Sequence, residues 1–229
     1  MVAQREAEAV VAERLHKLII YKEINNMSGR RALIIMLKNP VKGKVKTRLA
    51  KDVGDDMAFE VYKNLLLHTQ KITHDIDADK YIFYSDLVER NDIFENTIYK
   101  KYVQCSGDLG VRMDYGFSIP FKNEYKEVVM IGADCFALTS EHINKAFQVL
   151  SDHDFVLGPA TDGGYYLIGM KKWNRWLLQD KRWSTEHLFQ ESKVEIENNN
   201  GKLFLLETLT DIDTIEDLNL FPDLKHVIA

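Results

Sequence analysis

The chain predicts an α/β fold, a three-layer α/β/α arrangement around a mostly parallel central sheet. Three observations carry that expectation. Apolar runs of strand length, "ALIIML", "YIFYS" and "EVVMIGAD", alternate with longer amphipathic stretches. Strand followed by helix recurs, an order that builds parallel sheets with helices on both faces. No internal repeat or long linker interrupts the 229 residues, 45% of them hydrophobic, so one sizeable core is expected.

In chain order, residues 1–30 carry Val10, Val11, Leu15, Leu18 and Ile19 at helical spacing, predicting an amphipathic N-terminal helical extension ahead of a main domain at 31–229. Its scattered charges exclude an export signal, Met27 offers an alternative start, and its apolar stripe would suit a homodimer. Strands are expected at 32–37, 81–85 and 127–134. A helix is expected over 55–75, where Met57, Val61, Leu65, Leu66 and Ile72 share a face, and another over "TSEHINKAFQVL" behind a Thr/Ser cap. "DFVLGPA" and "GGYYLIGM" form a second group of strands about the turn at 161–164. "STEHLFQESKVEIENNN" predicts a helix capped by Ser184, and "KLFLLETL" a late strand leading into "TDIDTIEDL".

Composition narrows the partners. A formal net charge of -5 argues against a nucleic-acid polymer, which needs a broad basic face, and leaves room for a small phosphate ligand in a local basic pocket. Cys105 and Cys135 form no CxxC pair, so neither a disulfide scaffold nor a zinc site is expected and a reducing cytoplasm is the simplest location. No transmembrane segment is expected.

Against that acidic background, "LKNPVKGKVKTRLA" gathers Lys38, Lys42, Lys44, Lys46 and Arg48 directly after the first strand. Parallel sheets bind ligands at this edge, the carboxyl ends of the strands. The loop is neither GxGxxG nor a Walker A loop, because Gly43-Lys44 is followed by Val45 and no glycine stands at the upstream spacing. Gly43 would let the backbone approach a phosphate, with Lys46 and Arg48 supplying charge and a forked donor; a solvated basic turn is the alternative. Asp134, ending the strand in "MIGADCFALT", should emerge at the same edge and could hold Mg²⁺ or Mn²⁺, or serve as a turn residue. In "LTDIDTIEDL", Asp211 and Asp213 lie two apart, and a second metal carboxylate from here would complete a pair with Asp134; the alternative is N-capping by Asp213. In "GPATDGGYYLIG", Gly163 and Gly164 could make a hairpin turn, while Asp162 could face substrate as a base or as an acceptor for hydroxyl groups. Arg112, on the first turns of a helix in "SGDLGVRM", could pair with substrate or with an acidic neighbour.

Together these motifs resemble the nucleotide-diphospho-sugar transferase superfamily, with the glycosyltransferase A fold. Within it they are most similar to a bacterial family of glycosyltransferase-like proteins related to the phospholactate guanylyltransferases. The resemblance spans about residues 32–220 and rests on "KNPVKGKVKTRLA", "SGDLGVRM", "GADCFALT", "GPATDGGYYLIG" and "DIDTIEDL" in that order. Phe136 stands where the family often has proline, "DTIED" replaces the more usual "DTPED", and the DxD of many metal-dependent glycosyltransferases is absent. The resemblance implies a nucleotide held by Lys38, Gly43, Lys46 and Arg48, with Arg112 beside them, and a divalent cation on Asp134 and Asp213. It implies a transferase acting on a nucleotide sugar or an NTP and an undefined acceptor. Glycosyl transfer ranks first, with Asp162 as base and Lys46 and Arg48 stabilising the leaving group. Nucleotidyl transfer with pyrophosphate release follows, and a non-catalytic nucleotide sensor is the third alternative.

Overall fold

The computed structural model describes residues 30–224; the expected N-terminal helical extension lies, but for Arg30, outside them. The elements are β1 (Arg31–Leu37), α1 (Ala50–Thr73), β2 (Asp79–Tyr84), β3 (Tyr99–Val103), α2 (Leu109–Lys122), β4 (Glu127–Gly132), α3 (Ser140–Val149), β5 (Phe155–Pro159), β6 (Tyr165–Met170), a 3₁₀ turn (Arg175–Leu178), α4 (Leu188–Asn198), β7 (Leu203–Leu205) and α5 (Ile215–Asn219). The expected α/β architecture is present. Seven strands form one sheet in the order β3-β2-β1-β4-β6-β5-β7. Pairing is parallel throughout except at β6, which runs antiparallel to both β4 and β5.

Strand alternation explains the three layers. In β1, Leu33, Ile35 and Leu37 enter one core with Val61 and Leu65 of α1 and Ile143 and Phe147 of α3. Ala32 and Ile34 enter the opposite core with Met113 and Phe117 of α2 and Ile196 of α4. A strand buried on both faces reads as a continuous apolar run, which is why "ALIIML" was visible in sequence.

Local chemistry sets the element ends. Thr139 caps α3 through a reciprocal box with His142, in keeping with the Thr/Ser cap read from sequence. Gly54, at φ +81°, breaks α1 near its start, so the continuous helix begins at the expected place. Ser184 does not cap α4: the helix starts at Leu188, its cap residue His187 makes no side-chain cap bond, and Ser184 sits at φ +59°. The late strand is shorter than expected, three residues with one further bridge between Ala160 and Leu209. Among the described residues, no helix is long and apolar enough to cross a membrane.

The topology singles out one place. From β1 the chain winds outward through β2 to β3, then returns to β4 on the other side of β1. Connections therefore diverge at the carboxyl ends of β1 and β4, opening a crevice where open α/β sheets bind ligands.

Candidate active site

The basic loop leaves β1 at this crevice and is held at both ends. Tyr62, from α1, donates to the Lys38 carbonyl at 2.8 Å and accepts from the Lys38 N–H at 2.9 Å. The buried Asn39 side chain donates to the Leu87 carbonyl at 2.9 Å and accepts from the Asp86 N–H at 2.9 Å, tying the loop to the end of β2. Further along, Val45 and Leu49 are buried in the core. Between those anchors the backbone turns through positive φ at Gly43 (+77°) and Lys46 (+48°). The second is uncommon for a side chain of this size and costs about 1–2 kcal/mol.

That turn drives Lys46 inward, leaving its side chain only 3% exposed. Its Nζ lies 2.5 Å from Asp134 Oδ1 and 3.2 Å from Asp213 Oδ1. Burial works against the charged ammonium, but the two carboxylates outweigh it and hold the Lys46 pKa above its ordinary value. Arg48 stays largely exposed, with Nη1 3.6 Å from Asp213 Oδ2. Lys42 pairs with Asp56 at the surface.

The two aspartates come from segments far apart in the sequence and are brought together through backbone. Asp134 follows β4, and its carbonyl accepts the Ile212 N–H at 3.0 Å, so the 211–213 segment lies against the end of β4. Thr214, not Asp213, caps α5, in a box completed by Asp217. The Asp213 carboxylate is thereby directed to Lys46 and Arg48 instead of a helix terminus.

Asp211 behaves differently. Its Oδ1 is buried with no hydrogen-bond partner. Burial first, then the nearby Asp134 charge, push its pKa up to about 7, with Lys46 opposing. The donor set at this edge is all oxygen, it already grips one positive centre, and it includes an orphaned buried carboxylate oxygen. Those features fit a hard divalent cation such as Mg²⁺ or Mn²⁺. Among the described residues, no three Asp, Glu, His or Cys side chains converge on a single point in this arrangement.

Asp134, Asp162 and Asp211 line a cavity of about 410 Å³, together with Lys38 and Arg112. Its apolar wall includes Met36, Met113, Met130 and Trp183. Arg112 is steadied by Gln104 Oε1 at 3.3 Å and the Asp108 carbonyl at 3.2 Å, not by an acidic side chain. Gln104 in turn donates to the Leu37 and Phe83 carbonyls at 3.0 and 2.9 Å, locking the ends of β1 and β2 together.

The Asp-Gly-Gly turn closes the other side. Asp162 Oδ1 accepts the Gly164 N–H at 2.9 Å, an Asx turn within the β5–β6 hairpin. Gly163 is at φ +87°, and a Cβ there would meet the Glu186 carbonyl oxygen at 2.2 Å, so glycine permits a close backbone approach. The Gly163 carbonyl accepts the Phe189 N–H at 2.8 Å, which holds residues 183–185 against the cavity.

Of the residues singled out from sequence, Lys38, Arg112, Asp134, Asp162 and Gly164 line the cavity, while Lys46, Arg48 and Asp213 form the ionic cluster joined to it through Asp134. Gly43 and Gly163 shape the bordering backbone. Sequence reasoning gave no role to Tyr62, Gln104, Trp183 or, individually, Asp211. Tyr62 is legible only as the neighbour of Val61 on a buried helical face.

The sheet order and its switch-point crevice are those of the nucleotide-diphospho-sugar transferase fold, and the chain is a transferase of that class. The chain belongs to the DUF2064 family, described as an uncharacterized protein conserved in bacteria, whose model matches residues 68–185. It is similar to a crystal structure from Desulfovibrio desulfuricans G20 assigned to the nucleotide-diphospho-sugar transferases, with 29% identity and a TM-score of 0.76 over 84% of this chain and 86% of that one. It is also 25% identical to 2-phospho-L-lactate guanylyltransferases from two Methanocaldococcus sources. One, from strain FS406-22, matches over 177 residues, 76% of this chain and 74% of the relative. The other, from M. jannaschii, matches over 197 residues, 83% and 82%.

Proposed function

We propose that this transferase is a divalent-cation-assisted nucleotidyltransferase, moving a nucleoside monophosphate from an NTP to a small anionic acceptor and releasing pyrophosphate. One observation carries the reading: a nearly buried Lys46 held between Asp134 and Asp213 at the mouth of the switch-point cavity. Cations and carboxylates interleaved at this edge suit a polyphosphate and its counter-cation better than an uncharged ligand.

Lys46 and Arg48 bind the β- and γ-phosphate oxygens, and Lys38 and Arg112 reach the rest of the nucleotide from the cavity rim. Asp134 and Asp213 would hold Mg²⁺ or Mn²⁺, which when bound would neutralise phosphate charge and polarise the reacting phosphoryl group. An acceptor oxygen attacks the α-phosphorus, the bond to the α–β bridging oxygen breaks, and the electron pair leaves with pyrophosphate. The fixed charges of Lys46 and Arg48 stabilise that leaving group as it forms. Asp162, with one oxygen committed to Gly164, is assigned to the acceptor's hydroxyl groups rather than to proton removal. Gly163 and Gly164 keep that carboxylate and residues 183–185 at the cavity wall.

The resemblance in sequence ranks glycosyl transfer first. Two considerations support the opposite order: the number of cations around the site, and the guanylyltransferase activity named for both curated relatives. The likeness to the D. desulfuricans protein favours glycosyl transfer as the second reading. Product analysis separates them. The protein is incubated with Mg²⁺, each NTP or nucleotide sugar, and phosphorylated hydroxy acids or sugar phosphates as acceptors. Acceptor-dependent pyrophosphate from an NTP is the expected result; nucleoside diphosphate from a nucleotide sugar would establish glycosyl transfer instead.

A further inference from the structure

We propose that Lys46 is a built-in occupant of the cation site: in the ligand-free protein its ammonium and a divalent cation compete for the Asp134–Asp213 pair. The inference rests on the reading that this pair holds the cation, and it assigns Lys46 a second task beyond contacting phosphate.

The geometry leads there directly. Lys46 Nζ bridges one oxygen of each carboxylate, at 2.5 and 3.2 Å. A Mg²⁺ or Mn²⁺ ion shared by the same oxygens would sit about 2.0–2.2 Å from each, inside the volume the ammonium fills. Both cannot be present. The ammonium is also no casual surface contact, because its side chain is 3% exposed and its backbone is held at φ +48° between the buried Val45 and Leu49. With those flanking residues fixed in the core, the side chain swings outward when a divalent cation enters, toward the open side where Arg48 projects. Without Lys46, Asp134 and Asp213 would face each other with only the exposed Arg48, 3.6 Å from Asp213, to offset their repulsion. Lys46 thus stabilises the empty site at the cost of its intrinsic affinity for a divalent cation.

Two measurements test this, both with Mn²⁺ alone as probe and no nucleotide. In the first, free Mn²⁺ is titrated by electron paramagnetic resonance against the wild type, Lys46→Met, Lys46→Arg and the double variant Lys46→Met/Asp134→Asn. Lys46→Met should bind Mn²⁺ at least about tenfold more tightly than the wild type, because removing a competitor restores the site's intrinsic affinity. Lys46→Arg should show no such gain, and the double variant should lose it. Equal or weaker binding by Lys46→Met, with Asp134 still required, would overturn the competition while leaving the carboxylate site standing. Binding that ignores Asp134 would overturn the cation reading itself.

The second measurement needs no substitution and holds even if Lys46→Met folds poorly. Reductive methylation of the wild type, read by peptide mass spectrometry, should modify Lys46 slowly without Mn²⁺ and faster when Mn²⁺ is added, while Lys44 is unaffected. A Lys46 rate unchanged at Mn²⁺ concentrations that occupy the site would overturn the proposal.

Discussion

The basic loop after β1 and the Asp-Gly-Gly turn between β5 and β6 border the same cavity by different physical means. In the loop, charge is the working element: Lys46 is forced into the interior and compensated there by two aspartates from distant segments. In the turn, shape is the working element. The Asp162 carboxylate is partly engaged by Gly164, and Gly163 lets two backbone segments approach more closely than any other residue would allow. The contrast teaches that a charged residue in a functional motif is not thereby a chemical group. Substitutions at the exposed loop cation Arg48 should reduce activity with modest loss of stability, and substitutions at the glycines of the turn should do the reverse.

The largest effect is expected at Lys46. Lys46→Met should lower kcat/KM for the transfer reaction by about a hundredfold or more, as does loss of a preorganised charge at a developing anion. Steady-state kinetics at saturating Mg²⁺ checks this. On the turn, Gly163→Ala should cost about 2–4 kcal/mol of stability, since its Cβ would collide with rigid Glu186 backbone at positive φ. A thermal melt should show a clear drop, and an unchanged midpoint would remove the distinction between turn and loop.

Smaller effects sharpen the comparison. Arg48→Ala should weaken nucleotide binding by about tenfold through loss of charge-assisted bonds to phosphate. Its exposed pairing with Asp213 contributes little to folding, so the melting temperature should hardly move. The smallest concerns Asp211, whose folded-state pKa is raised from 3.8 to about 7. The folded protein retains this proton where the unfolded chain releases it. The corresponding stabilisation is therefore complete below the unfolded value and is lost as pH rises through about 7. Melts in EDTA should show Asp211→Asn gaining on the wild type between pH 4 and pH 7. A constant difference across that range would contradict the burial assigned to this carboxylate.

The β1 and β4 strands were legible because both faces are buried and their apolar runs are unbroken. Of β3 only its end, before the glycine turn of "QCSGDLG", was legible, because "YKKYV" lies at the sheet edge and carries two lysines whose charges are met by Asp79 and Asp92. The reversal of β6 depends on which neighbours it pairs with, a property no local pattern records. At the site, "DIDT" announced carboxylates at the right edge, but it could not separate Asp213, paired with two cations, from Asp211, whose buried Oδ1 has no hydrogen-bond partner. That difference is created by Ile212 binding the end of β4 and by Thr214 taking the helix cap. Ser184 had the right residue type for a cap and the wrong backbone, at φ +59°.

On the proposed function, the loop, more than the turn, binds nucleotide phosphate. Isothermal titration of GTP with Mg²⁺ into the wild type, Lys46→Met and Asp162→Asn tests it most directly. Lys46→Met is expected to lose affinity by at least about tenfold and Asp162→Asn by about threefold or less, since its side-chain oxygen still accepts from Gly164. Wild-type affinity in Lys46→Met, or a larger loss in Asp162→Asn, would contradict it.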